Sequence, residues 1–233
     1  MRSALQMISR AALSAALFIG AVAVMTGAAM GDSGSDLALI DAAGRGDTAA
    51  VRRLLAEGAS LHARDGRGRT ALLAATHAPP GIGTEAARLL IAGGGDVNAK
   101  DAIEDSPYLY AAAEGRNDIL RMALAAGADL RSTNRYGGTG LIPAAHHGHL
   151  ETVRILLGTA IDKNHVNKLG WTALLEAIVL GDGGQVHTDI VAALVQAGAD
   201  VTIADREGVS PLAHAKQRGY TAIAALLEGA GAR

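Results

Sequence analysis

Four histidines, His146, His147, His149 and His165, form the densest set of metal-ligating side chains in this 233-residue sequence. Imidazoles hold zinc or copper when three or four converge on one ion. His147 and His149 flank a predicted turn at Gly148, and His165 follows in a later turn that would approach from a neighbouring segment. No pair of nearby acids completes the set, so metal binding by these four is the alternative reading. The other histidines, His62, His77, His187 and His214, are scattered. Ser33 lies in a Gly-Asp-Ser-Gly run, but a nucleophilic serine needs a positioned base and an oxyanion hole, and a polar tether offers neither. Two glycine patterns, Gly66, Gly68, Ala71 and Gly81, Gly83, Ala86, have the spacing of a degenerate dinucleotide fingerprint. Neither follows a buried strand, so both are expected to be turn glycines and no cofactor is expected. Asp41 and Glu176 fall on different segments without a shared acid–base site. The chain is therefore expected not to be an enzyme.

The elements that would position these residues repeat. From Ser106 to Asp129 the sequence reads SPYLYAAAEGRNDILRMALAAGAD. Ser106 and Pro107 suit the start of a short helix, Gly115 ends it, Asn117 or Asp118 can start a second, and Gly127 closes that one. With Ser106 as marker, equivalents stand at Leu37, Thr70, Thr139, Thr172 and Ser210, spaced 33, 36, 33, 33 and 38 residues apart. The closing position recurs as Gly58, Gly94, Gly127, Ala160, Gly198 and Gly231, and five residues before the marker stand Asp65, Asp101, Asn134, Asn167 and Asp205. Two helices this short bury too little apolar surface to offset their ordering entropy alone, so copies must stack. The pattern predicts an all-α solenoid of about six helix-turn-helix units.

The motifs TALLAAT, SPYLYAAAEG, GLIPAAHHGHLETVRILL, WTALLEA and SPLAHAKQRGYTAIAALL, with the closers GGDVNAKD, GADL and GADV, resemble those of ankyrin-repeat proteins. The resemblance implies a repeat array joined by β-hairpin-like turns over 36–233, with repeats at about 36–65, 66–101, 102–134, 135–167, 168–205 and 206–233. Departures are informative. Proline follows the marker in only two of the six repeats, Pro143 falls inside a first helix, and extra residues lie around Pro79 to Gly81 and Gly181 to Gly184. The family often carries histidine just after the helix-stopping glycine, which accounts for His149 without a metal. Its members recognise proteins through hairpin tips and the exposed side of the first helices.

Residues 1–30 have a basic start at Arg2 and Arg10, an apolar run, and small residues around Gly27 to Ala29, as a signal peptide has; an uncleaved membrane segment is the alternative. A periplasmic or secreted location is expected if the leader is removed, and an inner-membrane anchor if it is not. Residues 31–35 read as a linker. The formal net charge is −2, and without the leader 19 basic and 23 acidic groups remain. That balance argues against nucleic-acid binding. With no cysteine, disulfides, thiolate metal sites and a lipid-modified cysteine anchor are excluded.

A protein partner, met by a monomer, is thus the leading expectation, with an effector or immunity role as a variant of it. The tip candidates are Arg67, Arg69, Ile103, Tyr136, Leu169, Trp171 and Arg206, and the first-helix candidates are Tyr110 and Glu176. Tyr136 and Trp171 are expected on one edge, a repeat apart. Aromatic and arginine side chains dominate interface energetics. Arg52, Arg88, Arg121 and Arg154 share one slot of the second helix and should line a solvated outer face.

Overall fold

Four hydroxyls start four helices by the same bond: Thr70, Ser106, Thr172 and Ser210 accept from the amides of Leu73, Leu109, Leu175 and Ala213 at 3.2 to 3.3 Å. Each satisfies an amide that the first helical turn leaves free. The structure is a computed structural model that describes residues 33–233; the leader and the first two linker residues lie outside the described residues.

Twelve helices are described: α1 (Ser33–Gly44), α2 (Thr48–Ala56), α3 (Ala71–His77), α4 (Thr84–Ala92), α5 (Pro107–Ala113), α6 (Asn117–Ala125), α7 (Leu141–His146), α8 (Leu150–Leu157), α9 (Ala173–Val179), α10 (Gln185–Gln196), α11 (Pro211–Gln217) and α12 (Thr221–Gly229). No strand occurs among the described residues. Helix α1 begins at Ser33, so three residues expected to be linker are helical, which shortens the tether.

Odd-numbered helices pack on odd and even on even, α1 through α11 in one layer and α2 through α12 in the other, while each odd helix also meets the even helix that follows. The odd helices are short and rich in alanine, so their neighbours approach closely. In α3 the residues Ala71 to Thr76 are all buried, and one apolar core runs from Leu39 to Ala232. Its largest fully buried members include Leu72, Tyr108, Leu120, Leu156 and Leu174. Each helix pair therefore owes its core to the pairs beside it, as a linear repeat array requires.

The tips are built by the short polar residue five before the marker. The side chain of Asp65, Asp101, Asn134, Asn167 or Asp205 accepts amides two and four residues later, as Asn167 does from Leu169 at 2.9 Å and Trp171 at 3.0 Å. Four of these turns carry a glycine at positive φ two residues before the marker, at Gly68, Gly137, Gly170 and Gly208. In repeat three that place is taken by Glu104, held at φ 65° without a glycine's freedom. Side chains then tie neighbouring repeats: Asn98 accepts from the amide of Asp129 at 2.9 Å and donates to Gly127 at 3.2 Å, and Asn164 accepts from Asp200 at 2.9 Å.

Repeat four departs twice from the pattern. Pro143 has no amide to return to Thr139, so α7 starts one residue late, with Gly140 at its cap and the Thr139 hydroxyl left unpaired. Its second helix has no positive-φ closer at Ala160; the Thr159 hydroxyl instead donates to Leu156 at 2.6 Å. The inserted residues form the loop between α3 and α4 and the loop between α9 and α10. The first insertion is packed so tightly that a Cβ on Gly83 would stand 1.9 Å from the Ala75 carbonyl oxygen.

Candidate functional site

The exposed side of the first helices follows helical spacing. Counting from each marker, the fourth position supplies Tyr110, Pro143 and Glu176, the seventh His77 and His146, and the eighth Glu114, His147 and Leu180. These positions lie on one face because residues three and four apart are helix neighbours. Facing them are the tip residues Ile103, Tyr136 and Leu169. Together with Asp105, Arg135 and the Asn134 and Asn167 side chains they enclose a groove of about 580 Å³ across α3, α5, α7 and α9. Its apolar rim is open to solvent: Ile103, Tyr136 and Leu169 are 52%, 51% and 46% exposed.

The floor is polar and partly dry. Glu176 is 6% exposed. Its Oε1 accepts a 2.8 Å hydrogen bond from the Asn167 amide, and its Oε2 faces His146 Nδ1 at 3.7 Å. Burial pushes this carboxyl up to about 7, opposed by the Asn167 bond and by the charge of His147. Burial also lowers His146, helped by the neighbouring His147 and His187, so this imidazole is a poor countercharge. Asp105 is raised by burial despite Arg135 at 3.7 Å, and Tyr110 is raised by burial as well. The Tyr110 ring stacks on His77 at 3.8 Å, and burial lowers His77, whose Nε2 has no hydrogen-bond partner. Arg135 lies over the Tyr136 ring at 4.9 Å.

Of the nine predicted contact residues, Ile103, Tyr110, Tyr136, Leu169 and Glu176 line this groove, whereas Arg67, Arg69, Trp171 and Arg206 do not. Arg69 is committed to its own tip, pairing with Asp65 at 2.7 Å. The Arg206 guanidinium donates to the Lys168 carbonyl of the preceding repeat. Arg67 is exposed outside the groove, and its carbonyl accepts from the Ala102 amide at 3.0 Å. Trp171 is partly buried and is not among the residues that line the groove with Tyr136. Tyr136 stands three residues before its marker and Trp171 one before, so Leu169 is the true equivalent of Tyr136.

The sequence reading missed Asp105, Arg135, His77 and Leu180. The seventh and eighth helix positions would have revealed the last two, because they share a face with Tyr110 and Glu176.

The histidine cluster does not converge. The rings of His146 and His147 are tilted against each other at 4.6 Å, His147 Nδ1 contacts the Ala113 carbonyl at 2.7 Å, and His165 Nε2 contacts the Gly137 carbonyl at 2.7 Å. Among the described residues no group of three or more His, Cys, Asp or Glu side chains could hold a metal, which corrects the alternative metal reading. The arginine row lies on the even-helix layer, exposed, with Arg88 paired to Glu85 at 3.1 Å and Arg121 to Glu151 at 2.7 Å.

Comparison with known proteins gives one consistent result. A family model of three ankyrin repeats matches residues 108–205. Over 57 residues the chain is 47% identical to the putative ankyrin repeat protein YahD of Escherichia coli (strain K12), a match covering 24% of this chain and 28% of that protein. The crystal structure of an ankyrin repeat domain from Acinetobacter baumannii AYE superposes with a TM-score of 0.80 at 53% identity, covering 84% of this chain and 98% of that one. A second crystallised ankyrin repeat protein gives 0.79 at 41% identity, covering 83% and 97%. The ankyrin repeat domain of Bcl-3, a member of the IκB protein family, gives 0.73 at 28% identity, covering 84% and 86%.

Proposed function

The chain belongs to the ankyrin-repeat family, whose arrays are generally protein–protein interaction modules, and from that premise we propose that it binds a protein partner in the groove formed by repeats two to five. One observation carries the reading: large apolar side chains are held in solvent along one edge, at Ile103, Tyr136 and Leu169, above buried polar groups. Apolar patches of this kind, rimmed by polar residues, mark interaction sites. The scaffold around them is fixed by caps and tip bonds, so little ordering entropy is lost on association.

We place this activity outside the cytoplasm, periplasmic or secreted, on the composition of the leader. Fractionation of cells carrying the tagged full-length chain tests that placement; recovery only in the cytoplasmic fraction would reject it. The binding role is tested by affinity capture from the cells that express the protein, comparing the unaltered chain with a Tyr136→Ala/Leu169→Ala variant and an Arg121→Ala/Arg154→Ala variant. Loss of the captured protein in the first variant alone supports the groove. Equal recovery with all three rejects it.

A further inference from the structure

The group that closes the tip differs from repeat to repeat. Repeat two closes the Asp65 carboxylate with Arg69 at 2.7 Å, and repeat six closes Asp205 with the His214 ring at 2.6 Å. In repeat five the carboxylate has moved from the tip to the helix, as Glu176, and the tip offers Asn167, an amide without charge. The Glu176 side chain is 8% exposed, and among the described residues Oε2 accepts no hydrogen bond and no lysine or arginine pairs with it. A buried carboxylate without a cation is costly, and the cost is relieved when a charged, hydrogen-bonding partner arrives. The same groove contains Asp105 and Glu114 against a single arginine, Arg135, which is already beside Asp105.

Resting on the interaction reading above, we propose that the groove receives an extended peptide segment of the partner, with an arginine or lysine side chain seated on the Glu176 carboxylate. Four first helices in a row, about 8 to 10 Å apart, give the groove room for about eight extended residues. The cation enters beside Asn167, which keeps Oε1 fixed, and takes Oε2. Apolar side chains of the segment lie on Leu169, Tyr136 and Ile103. Burial favours the neutral form of the Glu176 carboxyl, so an incoming cation has to take the place of its proton, which is why binding is read above neutral pH.

The test uses the full-length protein and a synthetic library of acetylated octapeptides on alanine, leucine and tyrosine hosts. Arginine, lysine, citrulline or glutamate is placed at each position in turn, and binding is read by fluorescence anisotropy at pH 8. Arginine or lysine peptides should bind at least tenfold more tightly than their citrulline counterparts. Glu176→Gln, which preserves the bond from Asn167, should remove that advantage while leaving the citrulline peptides unchanged. Equal affinity for arginine and citrulline, an advantage that persists in E176Q, or no binding by any member would overturn the proposal. Leu169→Ala separates the two readings. Arginine and citrulline peptides that bind equally and are both weakened by L169A sink the cation seat and leave the groove, whereas binding indifferent to L169A and E176Q sinks both.

Discussion

Replacing Glu176 with glutamine should make this protein more stable, and only above the acid range. The folded carboxyl is pushed from an ordinary 4.5 up to about 7 by burial, against a weaker downward pull from Asn167 and His147. The sign follows from linkage. Below pH 4.5 the group is protonated both folded and unfolded, so it costs nothing. As pH rises toward 7 the unfolded chain gives up its proton first, and the native state loses stability until both forms are ionised. A rise of that size amounts to about 3 kcal/mol at pH 8. The substituted side chain would keep an acceptor for the Asn167 amide and carry no charge. Urea denaturation followed by circular dichroism should give nearly equal midpoints for E176Q and the parent at pH 4.5, and a higher midpoint for the variant at pH 8. If the stability difference between the two proteins is the same at both pH values, the carboxyl titrates normally and the dry floor of the groove is refuted. A gain in stability accompanied by loss of peptide binding would also mark Glu176 as a residue kept for recognition.

Other substitutions probe the frame. Glu104→Gly relieves a side chain held at φ 65° and should raise stability by about 1 kcal/mol, seen as an upward shift in thermal midpoint. Gly83→Ala places a Cβ against the Ala75 carbonyl at ordinary φ, so it should cost about 1 to 3 kcal/mol by steric displacement, measured by urea titration. Asn98→Ala removes two bonds between adjacent repeats and should cost about 1 to 2 kcal/mol, with faster amide exchange at Asp129.

What the sequence made legible was local. The period, the hydroxyl caps and the tip residues each depend on bonds within five positions, so their spacing alone announces them. Where one residue changes the local bonding, the pattern bends: Pro143 delays α7, and Ala160 passes the closing role to the Thr159 hydroxyl. The groove was half visible, because Tyr110 and Glu176 were read from the fourth helix position while the seventh and eighth were overlooked. Arg69 and Arg206 look like free contact residues on composition, yet each is engaged by its own or a neighbouring tip. The partnership of Asn167 with Glu176 spans nine residues and depends on the angle between tip and helix, which no spacing rule conveys.

The interaction claim is tested most directly by placing a photo-crosslinking amino acid at Tyr136 or Leu169 in the groove, and at Arg121 or Arg154 on the opposite layer. Each chain is then irradiated in the cells that express it. The same protein adduct should form from both groove positions and from neither outer position. Adducts confined to positions 121 and 154, or formed equally from all four, would contradict recognition through the groove.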